Sequence, residues 1–260
     1  MAQREIVRTE AIVLRSLNYG ETSQIVTLFT REKGKITVMA KGARRTKSTF
    51  GATLQLMAYT QVVFYYKPGR NLQTLSESAH VEPLHRLNRS LEKISIGLRM
   101  VELVHALLEK EDPQPSVFNL TQQTLRRLNA VDQRAANLWP FFQLRLATQL
   151  GMAPSVQRDA VTQVPERGGI LDLESGAVLP PEGAPRAGRR ASRSTLRAYA
   201  IFARAALDDV VRMRLRAAVR REVDDLISSY MRYQFESAYP STSDEVISQL
   251  LRATRRPDEG

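Results

Sequence analysis

The hydrophobic period of this sequence changes once, near Pro83, and that change sets the architecture. Before it, between residues 5 and 81, the apolar residues follow a short period, are rich in Val, Ile, Thr, Phe and Tyr, and are broken by glycine-containing turns. After it, they recur at the three- and four-residue spacing of helices. The first pattern is typical of β-strands and the second of amphipathic helices. The sequence therefore predicts an α+β protein whose strands precede its helices.

Five strands are predicted in the first part of the chain. We place them at residues 6–14, 23–30, 35–40, 61–66 and 72–79. Turn-forming residues join the second strand to the third at 31–34, and the fourth to the fifth at 67–70. Together with a longer connection around residues 48–57, five such strands favour a closed OB-fold barrel, which leaves no free sheet edge.

Helices are predicted at residues 91–108, 116–128 and 132–150. Pro140 is expected to kink or split the third of them. Helical periodicity returns over residues 194–239 and again over 243–252, which predicts a helical bundle. Residues 151–192 are rich in Gly, Pro and charge, with strand-like fragments at 169–173 and 177–179, and are predicted to form an irregular insertion. We therefore expect an N-terminal barrel domain over residues 1–81 and an α-helical domain over residues 82–260 that carries the insertion.

The charge of the chain favours a polyanionic partner. Thirty-eight Lys and Arg against 27 Asp and Glu give a formal net charge of +11 and a pI near 10.2, which indicates nucleic acid first. A basic surface without a ligand is the alternative. Cysteine is absent, so disulfides and thiolate metal sites are excluded. With neither a secretory signal nor a membrane-length apolar run, we expect a soluble cytoplasmic protein without cofactors.

The first concentration of cations predicts a DNA-binding surface on the barrel. Lys41, Arg44, Arg45 and Lys47 follow the third strand without an intervening acid, and Lys33 and Lys35 flank the preceding hairpin turn. Cations bordering a sheet can track phosphates while aromatic side chains stack on unpaired bases. Four aromatic residues are candidates for stacking, although a place in the barrel core is the favoured interpretation for each of them: Phe50, Phe64, Tyr65 and Tyr66.

A second concentration covers residues 186–221, where 11 Arg stand against Asp208 and Asp209 alone. A solvated helix face normally intersperses acids among its cations, so this imbalance favours a phosphate-binding surface. Arg189, Arg190 and Arg193 are the main candidates. They precede a predicted helix N-terminus in a stretch expected to be flexible, where guanidinium and free backbone N–H groups can converge on a phosphate.

The sequence contains no complete motif for nucleotide binding, metal binding or nuclease catalysis. Residues 42–48, GARRTKS, lack the glycine before the lysine that a phosphate-binding P-loop requires. The three histidines, His80, His85 and His105, show no metal-ligand spacing, and the barrel carboxylates form no cluster of the kind that holds magnesium in nucleases. The sequence therefore predicts a binding protein without catalytic or metal-ligating residues.

Residues 10–55 resemble the N-terminal barrel of the bacterial RecO family along their whole length. The matching motifs keep the family's order and spacing: Tyr19-Gly20-Glu21, Leu28-Phe29-Thr30, Gly34, Lys41-Gly42-Ala43-Arg44-Arg45, Lys47-Ser48 and Phe50-Gly51. Weaker similarity runs through residues 141–154 and the helix around Tyr230. Many family members carry two Cys-x-x-Cys pairs in the insertion. The corresponding positions here are Asp159, Thr162, Pro180 and Gly183, so no zinc site is expected.

The resemblance implies a non-enzymatic mediator of recombination and repair. Such a protein binds single- and double-stranded DNA, anneals complementary strands and acts with RecR. It also acts with the acidic C-terminal tail of single-stranded DNA-binding protein, and so helps to load RecA. For that tail, we predict Arg126, Arg127 and Arg145, which lie beside apolar helix faces, as contacts. The family properties agree with the charge pattern, because cations that offset phosphate repulsion are sufficient for annealing.

Two other functions remain open at this stage. An OB-fold protein that binds RNA would share the same barrel and charge, and it is the alternative hypothesis. A nuclease or phosphodiesterase is disfavoured by the missing carboxylate cluster.

Overall fold

A computed structural model describes residues 5–157 and 164–240, which contacts group into two compact units. Within the described part, the first unit holds residues 5–129 and Pro240, and the second is Ala130–Tyr239. The first contains the barrel and two helices, and the second contains the other helices and the insertion. The domain boundary after residue 81 stays a prediction.

The predicted five-stranded OB-type barrel is confirmed. Its strands follow the order β1-β2-β3-β5-β4 around a closed ring, in which β4 pairs with β1. The first strand is longer than predicted because a bulge between Val13 and Arg15 lets its first half pair with β4 and its second half with β2. The strands are β1 Glu5–Tyr19, β2 Ser23–Thr30, β3 Gly34–Ala40, β4 Tyr59–Tyr66 and β5 Gln73–Glu82.

The barrel core extends into the loop that follows β3. Alternate residues of β3 are buried, as expected for a strand with one face turned inward. The loop adds Ala43, Phe50 and Leu54 to the same core, so it is fixed although it pairs with no strand. Phe64 is also buried in this core. For Phe50 and Phe64 the core interpretation is therefore confirmed.

The shortest strand pairing in the barrel is the parallel one between β3 and β5, which consists of only two residue pairs. The segment before the second helix adds to this edge: the N–H of Glu111 donates to the carbonyl of Lys35 at 3.0 Å. Gly34 faces the same segment with a φ of +63°, and an added Cβ would overlap the backbone of Asp112. Both the backbone conformation and the close approach therefore require glycine at this position.

Two helices complete the first unit. They are α1 Leu91–Leu107 and α2 Pro115–Ala130. Phe118 of α2 packs edge-to-face against Phe29 of the barrel, with ring centroids 5.4 Å apart. The guanidinium of Arg31 lies 4.7 Å from the Phe118 ring and donates hydrogen bonds to Glu10 and Asn119. This helix is therefore held to the barrel by aromatic, cation–π and charged contacts.

The second unit contains the remaining helices. Its elements are α3 Leu138–Gln149, β6 Gly169–Asp172, β7 Val178–Leu179, β8 Gly188–Ala191, α4 Arg193–Arg204, α5 Leu207–Val210 and α6 Ala217–Phe235. Since α3 begins later than predicted, Pro140 lies in its first turn, where a missing N–H costs no helical bond. The helical periodicity over residues 194–239 corresponds to three helices, α4, α5 and α6, which non-helical segments separate. The helix predicted at 243–252 lies outside the described residues.

The insertion is a small antiparallel sheet tied to two helices. The strand-like fragments at 169–173 and 177–179 correspond to β6 and β7, and β8 pairs with the other edge of β6. The hydroxyl of Tyr199 donates to the carbonyl of Gly176 at 3.1 Å, and that of Tyr230 donates to Met152 at 3.0 Å. Packing and hydrogen bonds therefore hold the described part of the insertion.

Two of the four positions that correspond to zinc ligands in relatives, Asp159 and Thr162, lie outside the described residues. The other two, Pro180 and Gly183, follow β7 and have no metal-binding side chain. Within residues 5–157 and 164–240, no three His, Asp or Glu side chains converge as a metal site. In the same ranges, no helix combines the length and apolar character that a membrane crossing requires.

Candidate nucleic-acid interface

Four cations are presented together by the loop after β3, and we call Lys41, Arg44, Arg45 and Lys47 the cationic loop. All four are exposed. The backbone between them is anchored twice, because Ala43 is buried in the barrel core and the N–H of Arg44 donates to the carbonyl of Thr22 at 2.9 Å. The Arg44 guanidinium also donates to the carbonyl of Gly20 at 3.2 Å. The cationic loop is therefore held against the β1–β2 turn.

Tyr19 is the exposed aromatic residue beside this loop. It ends β1, pairs with Ser23 across the turn that Arg44 contacts, and is 55% exposed. The sequence interpretation missed it, because it selected aromatic residues from the run at 64–66 and from the cationic segment. The turn residue Gly20, which follows Tyr19 directly, could have indicated it. A residue at the last pair of a hairpin, next to the turn, is poorly covered by neighbouring strands.

Lys33 and Lys35 lie at the other end of β3, about 20 Å from the cationic loop at the rise of an extended strand. The Lys33 ammonium is 3.2 Å from the Glu5 carboxylate and 4.8 Å from the Tyr66 ring centroid. The Lys35 ammonium donates to the carbonyl of His105 at 2.6 Å, and burial lowers the pKa of Lys35. Both lysines therefore engage groups of their own unit, and the structure does not bring them to the cationic loop.

The three arginines singled out near residue 190 lie on regular structure rather than on a flexible stretch. Arg189 and Arg190 are exposed on β8, with the Arg189 guanidinium donating to the Ser229 hydroxyl. Arg193 is the first residue of α4 and pairs with Glu166 at 3.3 Å. These side chains share one edge of the inserted sheet and the start of one helix.

The N-terminus of α4 already holds an acidic side chain of the protein. Ser192 caps the helix by accepting from the N–H of Thr195. The Glu222 carboxylate accepts hydrogen bonds from the Ser192 N–H at 2.9 Å and from the Ser192 hydroxyl at 2.8 Å. A phosphate bound by these backbone groups, as the sequence interpretation expected, would have to displace Glu222.

The pKa of Glu222 is lowered in the folded protein. Partial burial acts to raise it, but hydrogen bonds from Thr195 and Ser192 outweigh that effect. Because the folded state favours the ionised carboxylate, this group stabilises the protein above the pKa that it has in the unfolded chain. That contribution is lost as the pH falls through the lower pKa of the folded state.

Replacing Glu222 with glutamine is expected to lower the free energy of unfolding by about 1–2 kcal/mol at neutral pH, because neutral hydrogen bonds replace charge-assisted ones. The difference should shrink as the pH falls through the acidic range that protonates the carboxylate. Urea unfolding at neutral pH and at acidic pH measures this difference in the free energy of unfolding between the variant and the unchanged protein. Asp225→Asn is the matched control, since it removes an exposed acid from the same helix. Equal losses in the two variants would rule out a specific role for the hydrogen bonds.

The arginines predicted to contact a protein partner lie in two units. Arg126 of α2 pairs with Glu82 at 2.6 Å, and Arg127 is its neighbour on that helix. Arg145 of α3 donates to the carbonyl of Ala205 at 2.6 Å and lies 5.5 Å from the ring of Phe141. Burial lowers the pKa of Arg145.

Comparisons with known proteins cover nearly the whole chain. Residues 1–84 match the family model described as Recombination protein O N terminal, and residues 88–243 match Recombination protein O C terminal. The chain is 60% identical to "DNA repair protein RecO" of Salinibacter ruber over 96% of both sequences. It is 30% identical to the protein of that name from Chloroherpeton thalassium, over 95% of this chain and 99% of the relative.

Proposed function

The chain belongs to the RecO family of non-enzymatic DNA repair and recombination proteins, and from this premise we propose how it acts. We propose that it binds single- and double-stranded DNA and anneals complementary strands. With RecR, it helps to load RecA on DNA coated by single-stranded DNA-binding protein. The observation that carries the proposal is the cationic loop, four exposed cations on an anchored backbone at one end of an OB-type barrel.

The cationic loop acts on the phosphate backbone. Two strands that approach each other must overcome the repulsion between their phosphates, and clustered Lys and Arg offset that repulsion while displacing condensed counterions. Contacts to phosphate carry no sequence information, so the bases remain free to pair. Annealing in this mechanism needs neither ATP nor a bond-making side chain.

Tyr19 adds a stacking surface for unpaired bases. Stacking of a base on an aromatic ring is worth about 1–3 kcal/mol and tolerates any base. Its position beside the turn contacted by Arg44 suits a strand whose phosphates lie along the cationic loop. Phe50 and Phe64 are not available for this role, because both are buried in the core.

The other predicted cations contribute in different ways. Arg189 and Arg190 are exposed and form part of the proposed DNA-binding surface on the second unit, next to Arg193. Lys33 and Lys35 have internal partners, so we assign them to the general positive potential that attracts DNA rather than to direct contacts.

Protein partners form a separate part of the proposal. The acidic tail of single-stranded DNA-binding protein requires a cation next to an apolar surface. Arg126, Arg127 and Arg145 are the cations proposed for it. Arg126 is exposed on α2, whereas Arg145 lies over the ring of the buried Phe141, so the tail would have to reach a half-buried guanidinium there. RecR is the partner for RecA loading. A role on DNA places the protein in the cytoplasm, at the nucleoid.

Annealing of complementary oligonucleotides tests the proposal. Both strands are coated beforehand with the cognate single-stranded DNA-binding protein, and annealing is followed without ATP across a salt series. We expect this protein to accelerate annealing in spite of the coating, and we expect the acceleration to fade as salt rises. No acceleration, with tight DNA binding retained, would contradict annealing and leave a plain binding module.

Competition separates DNA from RNA as the natural ligand. Single-stranded DNA and RNA of matched sequence compete for the protein at fixed salt. The proposal requires DNA to compete at least as well as RNA. A strong preference for RNA would favour the alternative OB-fold function.

A further inference from the structure

A regular row of arginines crosses the second unit between α5 and α6. Residues 213–216 lie outside helices and strands, and Arg216 has an extended backbone. Arg212, Arg214 and Arg216 are exposed, while Met213 and Leu215 between them are half-buried. Alternate residues of an extended chain point the same way and lie about 6–7 Å apart. The alternation of exposed and half-buried residues therefore indicates that the three arginines face solvent on one side of the segment.

Two side chains of the same unit hold the backbone of this segment by hydrogen bonds. Asn137 is completely buried, and its side-chain amide donates to the carbonyl of Val210 at 2.6 Å and to that of Met213 at 3.0 Å. Arg134 donates to the carbonyl of Arg212 at 3.4 Å. These hydrogen bonds fix the backbone of the segment. The exposed side chains of Arg212, Arg214 and Arg216 remain accessible to a ligand from solvent.

The row leads directly into the N-terminus of α6. Arg216 is the residue before the first turn, and its side chain makes no capping hydrogen bond. The first turn contains no acid and begins with two exposed alanines, Ala217 and Ala218. Exposed Arg221 follows one turn later, on the face of Ala217. The N–H groups of this turn are thus open to an anion, unlike those of α4, where Glu222 occupies the cap.

The charge along the row is of one sign. Asp208 and Asp209 precede it, and no acid occurs from residue 210 to residue 221. Among the described residues, the side chains of Arg212, Arg214 and Arg216 form no ion pair. Since a guanidinium binds phosphate through two parallel hydrogen bonds, evenly spaced arginines suit a ligand with evenly spaced phosphates.

We propose that Arg212, Arg214 and Arg216 form a track for the phosphodiester backbone of single-stranded DNA, which ends at the N-terminus of α6 beside Arg221. That the polymer is DNA rests on the proposed function. An acidic peptide fits the track less well, because such a tail also needs an apolar surface. None of the large apolar side chains that are exposed in the described residues lies on this segment.

The test is the salt dependence of binding to a fluorescein-labelled oligothymidylate, measured by anisotropy with the full chain. Each phosphate contact on a single strand contributes about 0.7 to the slope of log K against log salt. The triple variant R212Q/R214Q/R216Q should therefore reduce the slope by about 2 and weaken binding about 30-fold at ~0.2 M salt. The lysine triple variant keeps the charge and should restore most of the slope.

A charge-matched control distinguishes the track from net charge alone. R186Q/R197Q/R204Q removes three exposed arginines from the same unit but outside the row, and it should change the slope much less. Equal losses in the two triple variants would overturn the proposal, as would an unchanged slope in R212Q/R214Q/R216Q. Loss of binding to an acidic peptide with oligothymidylate binding intact would also overturn it. The readout is independent of annealing, so failure of the proposed function remains distinguishable.

Discussion

Removing all four charges of the cationic loop is expected to weaken binding to single-stranded DNA about 100-fold at ~0.2 M salt. The variant is K41Q/R44Q/R45Q/K47Q, in which glutamine keeps side chains of similar length without charge. If each cation neutralises one phosphate, the slope of log K against log salt should fall by about 3 on a single strand and slightly more on duplex DNA. The loss should be similar for all sequences, because phosphate contacts do not read bases.

Anisotropy across a salt series measures both the affinity and the slope. The matched control is K67Q/R70Q/R89Q/K110Q, which removes four exposed cations of the same unit from other turns. The fold of the loop variant should be intact, since Ala43 and Phe50 still anchor the loop in the core. If the loop variant binds as the control does, the cationic loop is not the DNA-binding surface of the barrel.

Replacing Gly34 with alanine is expected to destabilise the protein by about 3 kcal/mol or more. The left-handed backbone conformation of this residue costs an alanine about 1–2 kcal/mol. The overlap of its Cβ with the backbone of Asp112 adds a further cost, because either the β2–β3 hairpin or the segment before α2 must move. Movement there would also break the hydrogen bond from Glu111 to Lys35.

Urea unfolding of Gly34→Ala and Gly69→Ala separates the two causes. Gly69 also has a positive φ, +75°, but a Cβ added there meets no atom within 4 Å. Gly69→Ala should therefore show the cost of the backbone conformation alone. Equal destabilisation of the two variants would mean that the segment at Asp112 yields without cost.

The strands of the barrel could be predicted because their burial follows the two-residue period of a sheet with one buried face. Their ends could not. The bulge after Val13, which lets β1 continue to Tyr19, depends on two different partner strands. In the second unit, the helical pattern after residue 193 conceals the non-helical segment at 213–216. Hydrogen bonds from Asn137, more than seventy residues earlier in the sequence, hold the backbone at Val210 and Met213 in place.

The candidate site also has a part that could be predicted from the sequence and a part that could not. Four cations in seven residues indicate a basic loop whatever its exact shape, and their exposure could be expected because burying an unpaired charge is costly. Lys33 and Lys35 were equally plausible from composition. Their partners, Glu5 and the carbonyl of His105, meet them only once the barrel and α1 have formed. A local count of charges cannot reveal pairing of that kind.

The way in which the insertion is attached bears on where such a protein can work. Tyr230 retains the proton that it shares with the Met152 carbonyl well into the alkaline range, because burial raises its pKa to about 12. Gln234, which donates to Leu173 at 2.7 Å, has no titratable group. Relatives with four thiolates must obtain a metal and keep their sulfurs reduced. In the described part of the insertion, these hydrogen bonds involve neither a thiolate nor a metal ligand, and since the chain has no cysteine, thiol oxidation cannot loosen them.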